Sequence, residues 1–445
     1  MTPRPGPEPA SINVSALLDS RAINGFQWLT YGLCVACLMM DGFDLQALSF
    51  AAPSLIREWK IPSAAMGPVF SAALVGILFG SFLWSMLADR VGRRPVLFAA
   101  TLWFAVLTYL TGQAGSLAEL TTLRFIAGVG LGGIMPNAMA LAGEYAPGRK
   151  RILIMMIVST GFTVGAAIAG VTAEWLIPLA GWRSLFTFGA AASLVTAAVM
   201  VAFLPESLPF LALSGRPPEA ARRWIRRIAP ELARGEQLSL TAQRAEKGLP
   251  LGHLFRKGRA LTTILLWIVN FMNLLVLYFL TSWLPTAVRD FGFSNLIAVR
   301  AGTFVQIGGI IGGLLLGLVA QRLGLGRVLI ACFLAGCLSL AAISRTGLPA
   351  PGLFAIGFVA GFAIFGGQVG VNALAATCYP TSLRATGIGA SLGVGRIGGI
   401  LGPAIAGALL ARHWQPHTLF LGAAIPAALS CLAVFLLRFV PSRSE

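Results

Sequence analysis

Ser85-Met86-Leu87-Ala88-Asp89-Arg90-Val91-Gly92-Arg93-Arg94 sets four charged side chains between two apolar runs. Each run is about 20 residues, the length a helix needs to cross a hydrocarbon core of roughly 30 Å. The centre of this stretch returns 232 positions later, where Gln321-Arg322-Leu323-Gly324 answers Asp89-Arg90-Val91-Gly92. Working outward, Gly132-Gly133 is answered by Gly366-Gly367, Tyr145 by Tyr379, and Leu185-Phe186 by Leu419-Phe420, each displaced by 234. Near-constant offsets at four loci mark an internal duplication.

The composition agrees. Hydrophobic residues are 57% of the 445 and charged residues 11%, where a soluble domain carries roughly 25% charged. Soluble enzymes, disordered chains and secreted disulfide scaffolds are excluded. The runs are helix length, whereas barrel strands need only about 10 alternating residues. Twelve spans centre near Val35, Leu78, Phe104, Leu131, Thr163, Leu194, Val269, Gly309, Gly336, Phe362, Gly398 and Ala427. Small residues repeat every fourth position at Gly161/Gly165, Gly309/Gly313/Gly317 and Gly395/Gly399, a spacing that lets helix backbones approach in lipid. Cys34 and Cys37 sit one helical turn apart in an apolar run, which reads as packing rather than redox chemistry.

The fold class is therefore all-α integral membrane, twelve transmembrane helices in two six-helix pseudo-repeats. The expected parts are a cytoplasmic tail 1–25, a bundle 26–204, a cytoplasmic loop 205–259, a second bundle 260–438 and a tail 439–445. The tail 1–25 lacks a basic n-region and cleavage site, so no signal peptide is expected. Within the loop, residues 216–247 read as a basic amphipathic surface helix around Trp224. Segments on the side of the termini hold 24 of the 33 Lys and Arg, the opposite loops seven, and two (Arg124 and Arg396) fall inside spans. By the positive-inside rule both termini are cytoplasmic. The net charge of +17 is a topology signal and not a nucleic-acid signature, although the central loop can meet anionic lipid.

Ionisable groups inside spans are costly and mark functional sites. Asp41 and Asp44 share a helix face at i,i+3 spacing, and Arg124 and Arg396 lie on the fourth and eleventh spans. The plainer reading of these four is a set of buried ion pairs fixing helix register. Counting about 1.5 Å per residue puts Asp41 ~20 Å from the start of the first span, in its outer half. Arg124 is then ~8 Å below the outer surface and Arg396 ~17 Å from the cytoplasmic end, near the midplane. Asn137, Gln368 and Asn372, with Asn270, Asn273 and Gln306, are polar enough to line the same cavity. The two aspartates, close together in low dielectric, cannot both ionise cheaply, so one is expected to carry a proton. Asp41→Asn and Asp44→Asn are each expected to abolish uphill accumulation. No catalytic motif, metal-ligand set or phosphate-binding loop occurs in the sequence. No cofactor beyond coupling protons, no metal and no obligate protein partner is expected.

The decapeptide resembles the Gly-x-x-x-Asp-Arg-x-Gly-Arg-Arg signature of the major facilitator superfamily, with Ser85 in place of the first glycine. Pro205-Glu206-Ser207 and Glu144-Tyr145-Ala146-Pro147 with Arg149 are further superfamily features. Within it the chain is similar to bacterial aromatic acid:proton symporters, the 4-hydroxybenzoate and protocatechuate transporters. That likeness rests on Asp41-Gly42-Phe43-Asp44, Arg124 with Gly128 to Gly133 and Pro136-Asn137, Tyr278 with Trp283-Leu284-Pro285, and Arg384-Ala385-Thr386-Gly387 to Gly395-Arg396-Ile397-Gly398. The resemblance implies the major facilitator fold, transport through the first-span aspartates and Arg124, and a place in the bacterial inner membrane. The reading is a secondary transporter importing an aromatic carboxylic acid with protons by alternating access. Arg124, Arg396, Asn137, Gln368 and Asn372 are expected to bind substrate and Asp41 and Asp44 to couple protons. Asp89, Gly92, Arg93, Glu144 and Arg384 are expected to form a cytoplasmic gate. An importer of another organic acid, a sugar porter, an exporter and a ligand-sensing receptor remain alternatives. The double-glutamine pattern of sugar porters is replaced by Asn270-Phe271-Met272-Asn273, and the fifth span lacks the glycine-proline pair of drug antiporters.

Overall fold

In a computed structural model of the chain, the first apolar run begins where Asn24 and Gln27 close a reciprocal capping box. Residues 10–214, 218–228, 238–241, 251–256, 258–345, 347–379 and 381–439 are described. Among the described residues, twelve helices are long and apolar enough to span a bilayer. In chain order they are α1 (Gly25–Trp59), α2 (Met66–Val91), α3 (Arg93–Gln113), α4 (Leu117–Tyr145), α5 (Arg151–Ala180) and α6 (Arg183–Phe203). The second set is α7 (Ala260–Asp290), α8 (Asn295–Leu323), α9 (Leu325–Ile343), α10 (Ala350–Cys378), α11 (Thr381–Ala411) and α12 (Pro416–Leu437). Each span centre expected from the sequence falls within its helix.

The duplication reappears in the packing. α2 lies on α4, α1 on α5, α3 on α6 and α1 on α6; six helices later α8 lies on α10, α7 on α11, α9 on α12 and α7 on α12. Small residues set these approaches. A Cβ on Gly165 of α5 would run into the Met39 carbonyl of α1, and one on Gly398 of α11 into the Phe271 carbonyl of α7.

Where the halves meet decides where the protein is closed. One apolar cluster draws on both halves, joining Leu55, Met66 and Phe70 to Leu280, Trp283 and Ala298 at the end distal to the termini. Toward the termini, each cluster stays within one half, such as Leu38 with Tyr145 and Trp224, or Val269 with Phe333 and Val434. Polar contacts between halves follow the same rule. Ser49 donates to the carbonyls of Thr281 (2.5 Å) and Ser282 (3.0 Å), Ser71 to Ile400 (2.9 Å), and Gln306 to Gln46 (2.8 Å). Arg300 of α8 pairs with Glu174 of α5 at 2.5 Å. All lie in the distal half of their helices, so the molecule is shut there; among the described residues the halves part toward the termini, apart from an approach of Met156 to Gly317.

The central loop departs from expectation. Within it the described residues hold a helix over Pro218–Ile228, and Leu238–Thr241 is a strand pairing in parallel with Ala10–Asn13. The rest of 216–247 lies outside the described residues.

Candidate functional site

α1 is 35 residues long because it runs on to Trp59, and the roughly 20 residues a bilayer needs are exceeded. Asp41 therefore stands at the middle of α1 and not in its outer half, a correction to the depth expected from the sequence. Arg396 stands at the middle of α11. The two aspartates of α1 differ completely. Asp44 takes both arms of Arg124, 2.9 Å to Nη1 and 2.5 Å to Nη2, with side chains 1% and 0% exposed. Thr108 adds a longer bond of 3.4 Å. A two-bond fork of this kind is among the strongest charge-assisted contacts.

Asp41 has no such partner. It is 5% exposed, and its Oδ1 is buried without a hydrogen bond. Arg396 of α11 and Tyr278 of α7 lie within electrostatic reach of it. Among the described residues no carboxylate reaches Arg396 at ion-pair distance. Asp41 of the first half and Arg396 of the second thus lie within electrostatic reach with no ion pair formed between them among the described residues.

Beside Arg396, α7, α10 and α11 hold a chain of amides. Asn273 donates to Gln368 (2.8 Å), Gln368 to Asn270 (2.9 Å) and Asn372 (3.1 Å), and Asn270 to the Ser391 hydroxyl (2.6 Å). The structure thus brings Gln368 and Asn372 together on the second half, and Asn270 of the same chain packs on Gly395, next to Arg396 in α11. Asn137, on the first half, donates back to the Gly133 carbonyl of its own helix at 2.8 Å. Arg124 places both Nη groups on Asp44, while its buried Nε has no partner among the described residues. Sequence reasoning missed the Gln46–Gln306 bridge between halves, because spacing within one helix says nothing of the helix it faces.

At the termini end, Arg93 bonds Asp89 at 2.9 Å and lies 3.6 Å from Glu144. All three belong to the first half, and they are together while the termini end is parted, so they do not hold that end shut by themselves. The side chain of Arg384, expected in the same gate, lies outside the described residues. Glu206 completes this corner: its Oε1 accepts from the backbone N–H of Arg93 (2.8 Å), Arg94 (3.2 Å) and Ser207 (2.9 Å). A carboxylate at the start of α3 also suits the helix dipole. Gly92 makes room for it, at φ 111° and with a Cβ position that would overlap the Glu206 carboxylate. Gly92→Ala is expected to cost about 1–3 kcal/mol from backbone strain, read as a lower thermal midpoint in detergent. An unchanged midpoint would remove this role.

The sequence profile described as Major Facilitator Superfamily matches residues 34–389 and 266–445. The chain belongs to the major facilitator superfamily. It is 36% identical to the 4-hydroxybenzoate transporter of Acinetobacter baylyi, over 97% of this chain and 95% of that protein. It is 35% identical to the gallate transporter of Pseudomonas putida, over 96% and 95%. Among solved structures, the xylose transporter of Escherichia coli in a partially occluded inward-open form superposes with a TM-score of 0.72, at 16% identity and 94% and 98% coverage. A bacterial homologue of the human lysosomal transporter Spinster does so with 0.72, at 17% identity and 95% and 100% coverage. As a superfamily member this multi-pass membrane protein is a transporter and not an enzyme.

Proposed function

We propose that the protein imports an aromatic carboxylate together with one proton across a bacterial inner membrane, with both termini in the cytoplasm. The orientation rests on the excess of Lys and Arg at the termini end, and makes the structure an inward-open state. The substrate class rests on the curated relatives. The coupling rests on one observation: Asp41 is buried with an unpartnered oxygen opposite an Arg396 that has no carboxylate of its own.

The physics then runs as a competition for Arg396. In the empty carrier Asp41 and Arg396 offset each other, so the centre is neutral and can change access. An arriving carboxylate binds the guanidinium, which a planar fork does well. Asp41 then loses its compensating charge, and a buried carboxylate without a partner is costly. A proton relieves that cost, so the fully loaded centre is neutral again. Half-loaded states carry a net charge and are held back. The amide chain from Asn270 to Asn372 offers donors and acceptors for ring substituents.

Arg396→Lys keeps the charge but loses the fork, and most substrate affinity should go with it. Radiolabelled-ligand binding at wild-type strength would defeat this assignment. Uptake of a panel of labelled aromatic acids, with and without a protonophore, tests the function itself; a panel that gives no protonophore-sensitive accumulation would overturn it. The distal closure is tested separately. Glu174 and Arg300 are partly exposed, and such a pair is worth roughly 0–1 kcal/mol. Glu174→Gln should therefore shift the carrier toward the outward-open state by up to about fivefold, seen as faster labelling of a Thr303→Cys reporter from outside. Equal labelling rates would show that the apolar cluster alone sets the balance.

A further inference from the structure

Away from the transport path, a cavity of about 720 Å³ opens where α3, α6 and the Pro218–Ile228 helix meet. Its walls include Phe98, Met200, Val201 and Leu211, with Arg94, Arg223 and Trp224 at one side. The volume falls within the roughly 300–1,000 Å³ of ordinary small-ligand sites. We propose that this cavity seats an anionic phospholipid of the cytoplasmic leaflet, with its phosphate between Arg94 and Arg223 and its chains against Phe98 and Val201.

Three features point to that occupant. The first is charge. The guanidinium groups of Arg94, Arg223 and Arg227 lie 5.7, 5.0 and 5.6 Å from the centre of the Trp224 indole. Among the described residues none of the three forms an ion pair with a carboxylate. Arg94 also donates from Nη2 to the Val201 carbonyl at 2.6 Å, and the ring itself is a weak partner, so the guanidinium groups keep N–H donors to offer an anion. Glu206 also lines the cavity, but its Oε1 is taken by three backbone N–H groups at the start of α3. The second is level. The cavity lies at the termini end, beside the α2–α3 turn, where a cytoplasmic headgroup stands. The third is continuity with lipid-facing surface. Val201 is exposed, as are Phe203 and Val199 on α6 and Leu102 on α3, so apolar chains can run from the cavity along these helices into the bilayer. A soluble anion would gain nothing from that wall.

The site also ties elements together. Trp224 stacks on Phe26 at the start of α1 at 6.0 Å, and Asn24 of the α1 cap donates to the Arg227 carbonyl at 3.0 Å. A lipid on Arg223 therefore sits beside the contact that holds the central-loop helix to the first helix of the transport path.

The test uses the full-length protein in nanodiscs of equal phosphatidylglycerol and phosphatidylcholine, released into the gas phase for native mass spectrometry. The wild type should retain phosphatidylglycerol over phosphatidylcholine. Arg223→Gln and Arg94→Gln should each lower that preference about fivefold, as expected for one basic side chain at an anionic surface. Phe98→Trp narrows the apolar end with all cations kept, and should reduce retention of the lipid without changing the fold, checked by circular dichroism. Equal retention of both lipids by the wild type, or a preference untouched by both arginine variants, would overturn the proposal. Displacement of the lipid by millimolar inorganic phosphate would also overturn it, assigning the arginines to a free anion.

Discussion

Asp41→Asn is expected to abolish uphill accumulation while leaving substrate exchange in place. In proteoliposomes with a one-unit pH gradient, coupling to one proton sustains about tenfold accumulation of a monoanion, since one unit is worth about 1.4 kcal/mol. The variant should fall to a ratio near one. Asparagine imitates the protonated carboxyl, so the loaded centre stays neutral and can still change access with substrate aboard. The empty centre is different: Arg396 then has no opposing charge, and the empty carrier returns slowly. Net transport fails and exchange survives. The proposed scheme uses one proton, carried by Asp41, with Asp44 held on both oxygens by Arg124. Accumulation should therefore ignore an imposed membrane potential, whereas a second proton would add about 2.3 kcal/mol per 100 mV. Normal accumulation by Asp41→Asn, or a strong response of the wild type to potential, would sink this account.

How far the sequence carried this reading depends on the distance over which each signal acts. Span lengths and the echo of Asp89-Arg90-Val91-Gly92 at Gln321 are properties of the chain alone, and the twelve helices and their repeated packing follow from them. Charge inside a span is equally visible, which is why Asp41, Asp44, Arg124 and Arg396 were all picked out. Their division into a locked pair and an open pair was not. The i,i+3 spacing puts both carboxylates on one face, but three residues along a helix is also about 4.5 Å of depth, enough to place Asp44 beside Arg124 and Asp41 beside α11. The far end of α1 blurred that depth further, because the helix runs on through the charged Arg57 and Glu58 to Trp59, and charges of this kind hide the length of a span. Glu206 shows the opposite limit. Nothing in Pro205-Glu206-Ser207 tells that its carboxylate caps α3, more than 100 residues earlier in the chain.

Breaking the Asp44–Arg124 pair from either side should be the most damaging single change to the fold. Removing one partner leaves the other charged, buried and uncompensated, which costs about 3–5 kcal/mol. Asp44→Asn and Arg124→Gln should each lower the thermal midpoint sharply and reduce the amount of protein in the membrane. The double variant Asp44→Asn/Arg124→Gln removes both charges and keeps neutral amides to bond with each other and with Thr108. Neutral replacement of a buried pair is often without cost, so the double should recover most of the stability, and a double-mutant cycle should show coupling well above the 0.5 kcal/mol scatter of independent sites. Transport by the rescued double is the decisive reading. With Asp44 a structural partner and Asp41 the proton carrier, the double folds and still accumulates substrate against its gradient. A double that folds at wild-type stability yet only exchanges would return the proton to Asp44, and the open Asp41–Arg396 pair would lose its place in the cycle.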